Sequence, residues 1–202
     1  MSSVCRPIEK KKENTLIKQA KLFKSRFKMA AAAGAAAGSV EGGTRRRALQ
    51  SILFVCTSNT CRSPMAEGFC KSWLAKRFQV EPTEEGLREA GFQVSSCGLS
   101  HDYEPEGSPA SAHGIDILRD SFGIDISFHR SHVASSPSEF LRQSHIFPLT
   151  SRHARIILEI APSLRQSRKI VLEKLGDIED PWHSRKEVYA ACAAEIRECV
   201  LK

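Results

Sequence analysis

The chain has 202 residues and a formal net charge of +7, but residues 1–50 hold 12 Lys and Arg against 3 Asp and Glu, whereas residues 51–202 hold 18 against 20. The slightly acidic balance of the second part counts against a nucleic-acid binder. The longest apolar runs, such as residues 52–55, are far too short for a membrane-spanning helix, and seven scattered cysteines do not make a small disulfide scaffold.

Residues 1–50 read as a tail and residues 51–202 as one domain long enough to bury a core. In the tail Leu16, Ala20, Phe23 and Phe27 fall at helical spacing, with Lys18, Lys21 and Lys24 between them. That pattern fits an anionic membrane surface or an organelle-targeting segment. Glu9 and Glu13 count against a transit peptide, and a solvated tail is the simpler reading. Residues 29–43 are low-complexity and read as a linker; Arg45, Arg46 and Arg47 read as a solvated charge run. No apolar stretch near Met1 resembles a secretory leader, so reduced thiols and a cytoplasmic location are expected. Any membrane contact is expected through the tail alone.

The domain opens with a short apolar run, 51–55, that reads as a fully buried strand. Pro64 fits the first turn of a following helix with Ser63 as its cap. Met65, Phe69 and Trp73 form one stripe of that helix, with Ala66, Cys70 and Leu74 beside it. Residues 92–96 read as a second strand, and 110–122 as a helix with Ile115, Leu118 and Phe122 inward. A third strand is expected over 145–149, a helix over 152–160 and a fourth strand over 169–173. Val188, Cys192, Ile196 and Cys199 mark a closing helix. Strands alternating with helices predict an α/β fold whose parallel sheet carries helices on both faces.

The informative segment is Cys56-Thr57-Ser58-Asn59-Thr60-Cys61-Arg62-Ser63. It sits between the first strand and the first helix, where ligands of open α/β sheets bind. Such a loop offers backbone N–H groups and a helix N-terminus to a phosphate. The same field favours a thiolate at Cys56, and Arg62 offers a planar fork of donors to phosphate oxygens. Ser63 is placed to give a hydroxyl proton to the thiolate when that becomes the leaving group. Cys-x5-Arg-Ser in this context predicts phosphoryl transfer through a cysteinyl-phosphate. A zinc site is disfavoured, because Cys56 and Cys61 lack the close spacing of a structural pair and no second pair follows. No metal and no cofactor are expected. His129 and His132 fit one helical face and read as ordinary polar residues.

With ILFVCTSNTCRSPMAE (52–67), GIDISFHRS (123–131) and the late Asp180-Pro181, the chain resembles the low-molecular-weight protein tyrosine phosphatases over nearly all of residues 51–202. The resemblance implies a four-stranded parallel sheet with flanking helices. It implies Cys56 as nucleophile, Arg62 as transition-state binder and Asp180 as general acid, with Asn59 holding the loop in shape. It also implies substrate contacts from Thr57, Ser58, Asn59, Thr60, Cys61 and Ser63, and an aromatic wall at Trp182. Spacing alone does not rank Asp180 above Asp177 and Glu179. Cys61 is expected to take a redox role beside Cys56. The expected partner is a phosphorylated protein or a small phosphomonoester.

Three positions depart from the pattern or bear on the substrate. Ser58 stands where the family commonly has glycine, which is tolerable only if φ is not positive there. Pro148 falls in the third expected strand, where it removes a ladder donor. Thr60, where many tyrosine phosphatases have isoleucine, matches the branch resembling bacterial protein arginine phosphatases, so phosphotyrosine and phosphoarginine both stay open. A catalytically silent phosphoprotein-binding module is the main alternative. An arsenate reductase is disfavoured, because no cysteine lies between Cys97 and Cys192.

Overall fold

The computed structural model describes residues 48–166, 171–172 and 176–201. Expectations for residues 1–47 lie outside these residues. Strand β1 (Gln50–Val55) runs into helix α1 (Arg62–Phe78), followed by the short α2 (Glu84–Glu89) and β2 (Phe92–Cys97). Next come α3 (Ala112–Phe122), α4 (Pro137–Leu141), β3 (His145–Pro148), α5 (Ser151–Ile160) and a 3-10 turn (Pro162–Arg165). The two-residue β4 (Val171–Leu172) and α6 (Lys186–Leu201) close the chain.

The strands order as β2-β1-β3-β4 and every pair is parallel. The fourth expected strand is reduced to Val171–Leu172, paired with the start of β3 at His145 and Ile146; Lys169, Ile170 and Glu173 lie outside the described residues. β1 is central, and Ile52, Leu53, Phe54 and Val55 are all buried, as a strand covered on two faces requires. Leu53 and Val55 join Phe140, Ile146, Ile157 and Leu164 in one core cluster. Ile52 and Phe54 point to the other side of the sheet, and the Phe54 ring stacks on Phe147 at 5.4 Å.

Local chemistry sets the helix ends. Helix α1 starts at Arg62, one residue before the expected cap, and Cys61 caps it without a side-chain bond. The Ser63 hydroxyl turns instead toward Cys56 and Asn59. Thr150 caps α5 by accepting from His153 N. Two stripes differ from expectation. In α3 it is Ile117 and Leu118 that are buried, while Phe122 sits edge-on to Phe69. In α6 the buried set is Tyr189, Cys192, Ala193, Ile196 and Val200, with Val188 exposed. The helix is turned so that Tyr189, rather than Val188, reaches under the loop after β1.

Pro148 ends β3, and Leu149 N donates to Val55 O. Because amides of a parallel strand alternate between neighbours, the missing Pro148 N–H faces away from β1, past the last β4 pair. Ser58 is not among the residues with positive φ, so serine is unstrained there. Among the described residues no helix is long and apolar enough to cross a membrane.

Candidate active site

The loop 56–62 hangs between the end of β1 and the start of α1. Its backbone is buried: Cys56, Ser58, Asn59, Thr60, Cys61 and Arg62 are each at most 7% exposed. Yet none of the amides of Thr57, Ser58, Asn59, Thr60 and Cys61 donates to a protein acceptor among the described residues. A buried row of unspent N–H groups at a helix N-terminus is an anion-binding nest.

Asn59 holds the nest open. It adopts a left-handed φ of 58°, which asparagine tolerates better than most side chains. Its Oδ1 accepts from His132 N at 2.9 Å, and its Nδ2 donates to Ser63 Oγ and Ser96 Oγ, both at 2.8 Å. Ser96 Oγ in turn donates to Glu67 Oε2 at 2.5 Å, and Glu67 Oε1 pairs with Lys71. His129 Nε2 lies 2.7 Å from Asn59 O, and burial pushes its pKa down. His129 and His132 therefore sit in an irregular segment that braces the loop, not on a shared helix face. Gly68 lets that segment close in, since a Cβ there would lie 2.9 Å from Ile126 Cγ2. From the other side Leu99 N and Ser100 N both donate to Thr57 O.

Cys56 Sγ and Ser63 Oγ lie 3.0 Å apart. Since Ser63 Oγ already accepts from Asn59, its own hydrogen is free to point at the sulfur. The buried Arg62 donates from Nη1 to Ile178 O at 3.1 Å and from Nη2 to Thr57 Oγ1 at 3.3 Å and to Asp180 Oδ2. Its Nε is buried with no partner among the described residues, so one donor of the fork remains for a ligand oxygen. His153 Nε2 lies 3.1 Å from Thr57 Oγ1. Burial and the nearby Arg62 lower its pKa to about 4, which keeps it neutral near pH 7.

Cys61 Sγ lies 3.2 Å from Tyr189 OH, and burial raises its pKa. Asp177 caps α5, accepting from Ser151 N at 2.6 Å and Ser151 Oγ at 3.1 Å. Of the three acids that spacing left unranked, Asp180 is the one on Arg62, and its side chain is 42% exposed. Glu179 does not line the cleft.

Above the loop opens a cavity of about 520 Å³ that brings together Cys56, Thr57, Ser58, Thr60, Cys61, Arg62, Asp180 and Trp182. Asn59 and Ser63 lie beneath it, acting on the loop. The Trp182 ring packs edge-on to Tyr103 at 5.1 Å. Tyr103, His153, Arg152 and Arg155 also line the cavity and have no counterpart in the sequence reading. The available signal was weak: His153 falls four residues before Ile157, on the inward face of α5.

A sequence profile of the family described as "Low molecular weight phosphotyrosine protein phosphatase" matches residues 51–202. The chain is 31% identical over 153 residues to a protein-arginine-phosphatase from Geobacillus stearothermophilus, covering 74% of this chain and 90% of that protein. It is 35% identical over 155 residues to the low molecular weight protein-tyrosine-phosphatase PtpB from Staphylococcus epidermidis, covering 75% and 94%. The crystal structure of a low molecular weight protein tyrosine phosphatase from T. tengcongensis shares its fold, with a TM-score of 0.61 at 30% identity over 75% of this chain and 95% of that one. The chain belongs to the low molecular weight phosphotyrosine protein phosphatase family.

Proposed function

We propose that this protein dephosphorylates phosphotyrosine or phosphoarginine side chains of proteins through a cysteinyl-phosphate, with Cys56 as nucleophile, Arg62 as phosphate binder and Asp180 as general acid. The observation that carries the reading is the buried loop of unspent amides around Cys56, closed by an arginine whose Nε is unpartnered. The phosphate dianion takes these donors together with Arg62. Cys56 Sγ attacks phosphorus in line as the bond to the leaving oxygen or nitrogen breaks. Asp180, displaced from Arg62 by the phosphate and protonated from solvent, gives that atom its proton. The resulting carboxylate then takes a proton from the water that attacks phosphorus, and the Cys56 thiolate departs. The Ser63 hydroxyl, 3.0 Å away, stabilises that thiolate. No metal or cofactor enters the scheme.

Two features bear on the substrate. Tyr103 and Trp182 supply an aromatic wall suited to a phenyl ring. Thr60 lines the cleft with a hydroxyl-bearing rather than a wholly apolar side chain, which suits a guanidino group. We assign turnover to residues 51–202 in the cytoplasm, and location or membrane contact to residues 1–50.

The test is Cys56→Ser. Wild type should turn over p-nitrophenyl phosphate, and the variant should lose that activity while still binding vanadate. Near-wild-type turnover in the variant would overturn the covalent scheme. Vanadate binding by a wild type that turns over no phosphotyrosine, phosphoarginine or aryl phosphate would leave a silent binding module in its place.

A further inference from the structure

The rim of the cleft above the loop carries two exposed arginines. On one side α5 presents Arg152 and Arg155, three residues apart and both exposed, into the cavity. Residues at this spacing share a helix face. Neither arginine makes an ion pair or hydrogen bond among the described residues. The acids that line the same cavity are engaged, Asp177 by Ser151 and Asp180 by Arg62. The 101–107 segment, which carries Asp102 and Glu104, contributes Tyr103 alone to the cavity. Its Glu104 Oε1 accepts from Trp182 Nε1 at 3.4 Å, which ties this acidic segment to the aromatic wall.

The mechanism uses neither arginine of α5. Arg62 meets the phosphate, and Arg152 and Arg155 lie beyond the loop on the rim. A pair of free guanidinium groups on one side of the cleft recognises an anion and gives it a direction. We infer that Arg152 and Arg155 form a subsite for acidic side chains on one side of the phosphorylated residue, so that the preferred substrates are acidic phosphopeptides bound in one orientation. This rests on the phosphatase reading above and deepens it.

The experiment compares kcat/KM for three phosphopeptides of equal length. Two glutamates are placed before the phosphorylated residue, after it, or replaced by alanines, in a phosphotyrosine and a phosphoarginine series. In wild type one glutamate placement should be favoured over alanine by about threefold to tenfold, the scale of two exposed ion pairs, and the other should not. The preference should shrink as NaCl rises from about 0.05 M to about 0.5 M, as screening requires. It should vanish in R152Q/R155Q and reverse in R152E/R155E. Each ratio is taken within one variant, so a change in basal turnover cancels, and the salt series on wild type needs no variant to fold. Equal turnover of acidic and alanine peptides by wild type, or a preference that survives R152Q/R155Q, would overturn this subsite and leave the phosphatase reading standing. Turnover of no peptide at all would overturn both.

Discussion

Asn59 Oδ1 accepts the backbone N–H of His132 at 2.9 Å, while its Nδ2 reaches Ser63 and Ser96. One buried amide thus ties the phosphate loop to α1, to β2 and to the segment before α4. Asn59→Ala removes all three bonds and leaves a left-handed φ without its local support. We expect it to cost about 2–4 kcal/mol of unfolding free energy in urea, from unsatisfied buried groups and backbone strain. Turnover of an aryl phosphate should fall at least about tenfold, since misplacing a preorganised donor costs that and more. A variant as stable and as active as wild type would show that the loop keeps its shape unaided.

The His132 ring adds a pH dependence. Its Nδ1 lies 2.9 Å from Glu106 Oε1 and its Nε2 lies 2.7 Å from Glu139 Oε2. The bond to Glu139, and then that to Glu106, raises the His132 pKa against partial burial. Burial opposes ionisation of Glu139, but bonds from His132, Ser135 and Ser136 outweigh it and bring its pKa to about 2. Folded His132 holds its proton more tightly than the unfolded chain does. Its contribution is therefore complete below the ordinary value of 6.5 and is lost as pH rises through the raised folded value. Glu139 works the other way, contributing above the ordinary 4.5 and losing this as pH falls toward about 2. The two overlap between pH 4.5 and 6.5. His132→Gln should therefore lower the thermal midpoint more at pH 6 than at pH 9. An equal loss at both would rule out a charged clamp.

Asp180 should reveal itself through the leaving group. Asp180→Ala removes the proton donor, so esters of weakly acidic phenols should slow by about 10²–10⁴-fold. Esters of strongly acidic phenols need no proton and should slow far less. Equal slowing across the series would shift the role to Glu179, because Asp177 is committed to the start of α5.

The proposed redox role of Cys61 rests on its sharing the cavity with Cys56. Peroxide converts the Cys56 thiolate to the sulfenic acid. The Cys61 thiol then attacks that sulfur, an S–S bond forms and water leaves. Burial raises the Cys61 pKa, so it meets peroxide as the less reactive thiol and survives to act as the resolving group. After peroxide and then dithiothreitol, wild type should regain activity and Cys61→Ser should regain clearly less. Equal recovery would leave Cys61 as packing against Tyr189.

The loop from Cys56 to Ser63 was legible in the sequence because all its signals are local: a buried strand, a polar turn and a proline in the first helical turn. Asp180 was legible only through the resemblance, since 118 residues separate it from the guanidinium it meets. His153, Tyr103, Arg152 and Arg155 were not legible for the same reason, as their roles depend on which loops the sheet gathers at one edge. The closing helix shows the limit of periodicity. Its apolar residues fit more than one stripe, and the contact between Tyr189 and Cys61 decides which face turns in. Pro148 looked like a defect in a central strand, yet its absent amide faces away from β1, beyond the pairs described with Val171 and Leu172.

The carboxylate of Asp180 on Arg62 is a competitor fastened to the same chain. A tethered group acts at an effective concentration that free ions reach only at millimolar levels or above. Chloride, sulfate or loose inorganic phosphate must displace it before meeting the guanidinium, and each brings little more than charge. A phosphorylated side chain brings its three oxygens to the loop amides, its ring or guanidino group to Tyr103 and Trp182, and a leaving atom that needs the displaced acid. On the proposed mechanism the intramolecular ion pair would act as a filter, disfavouring bulk anions and yielding to a ligand that engages loop, wall and acid at once.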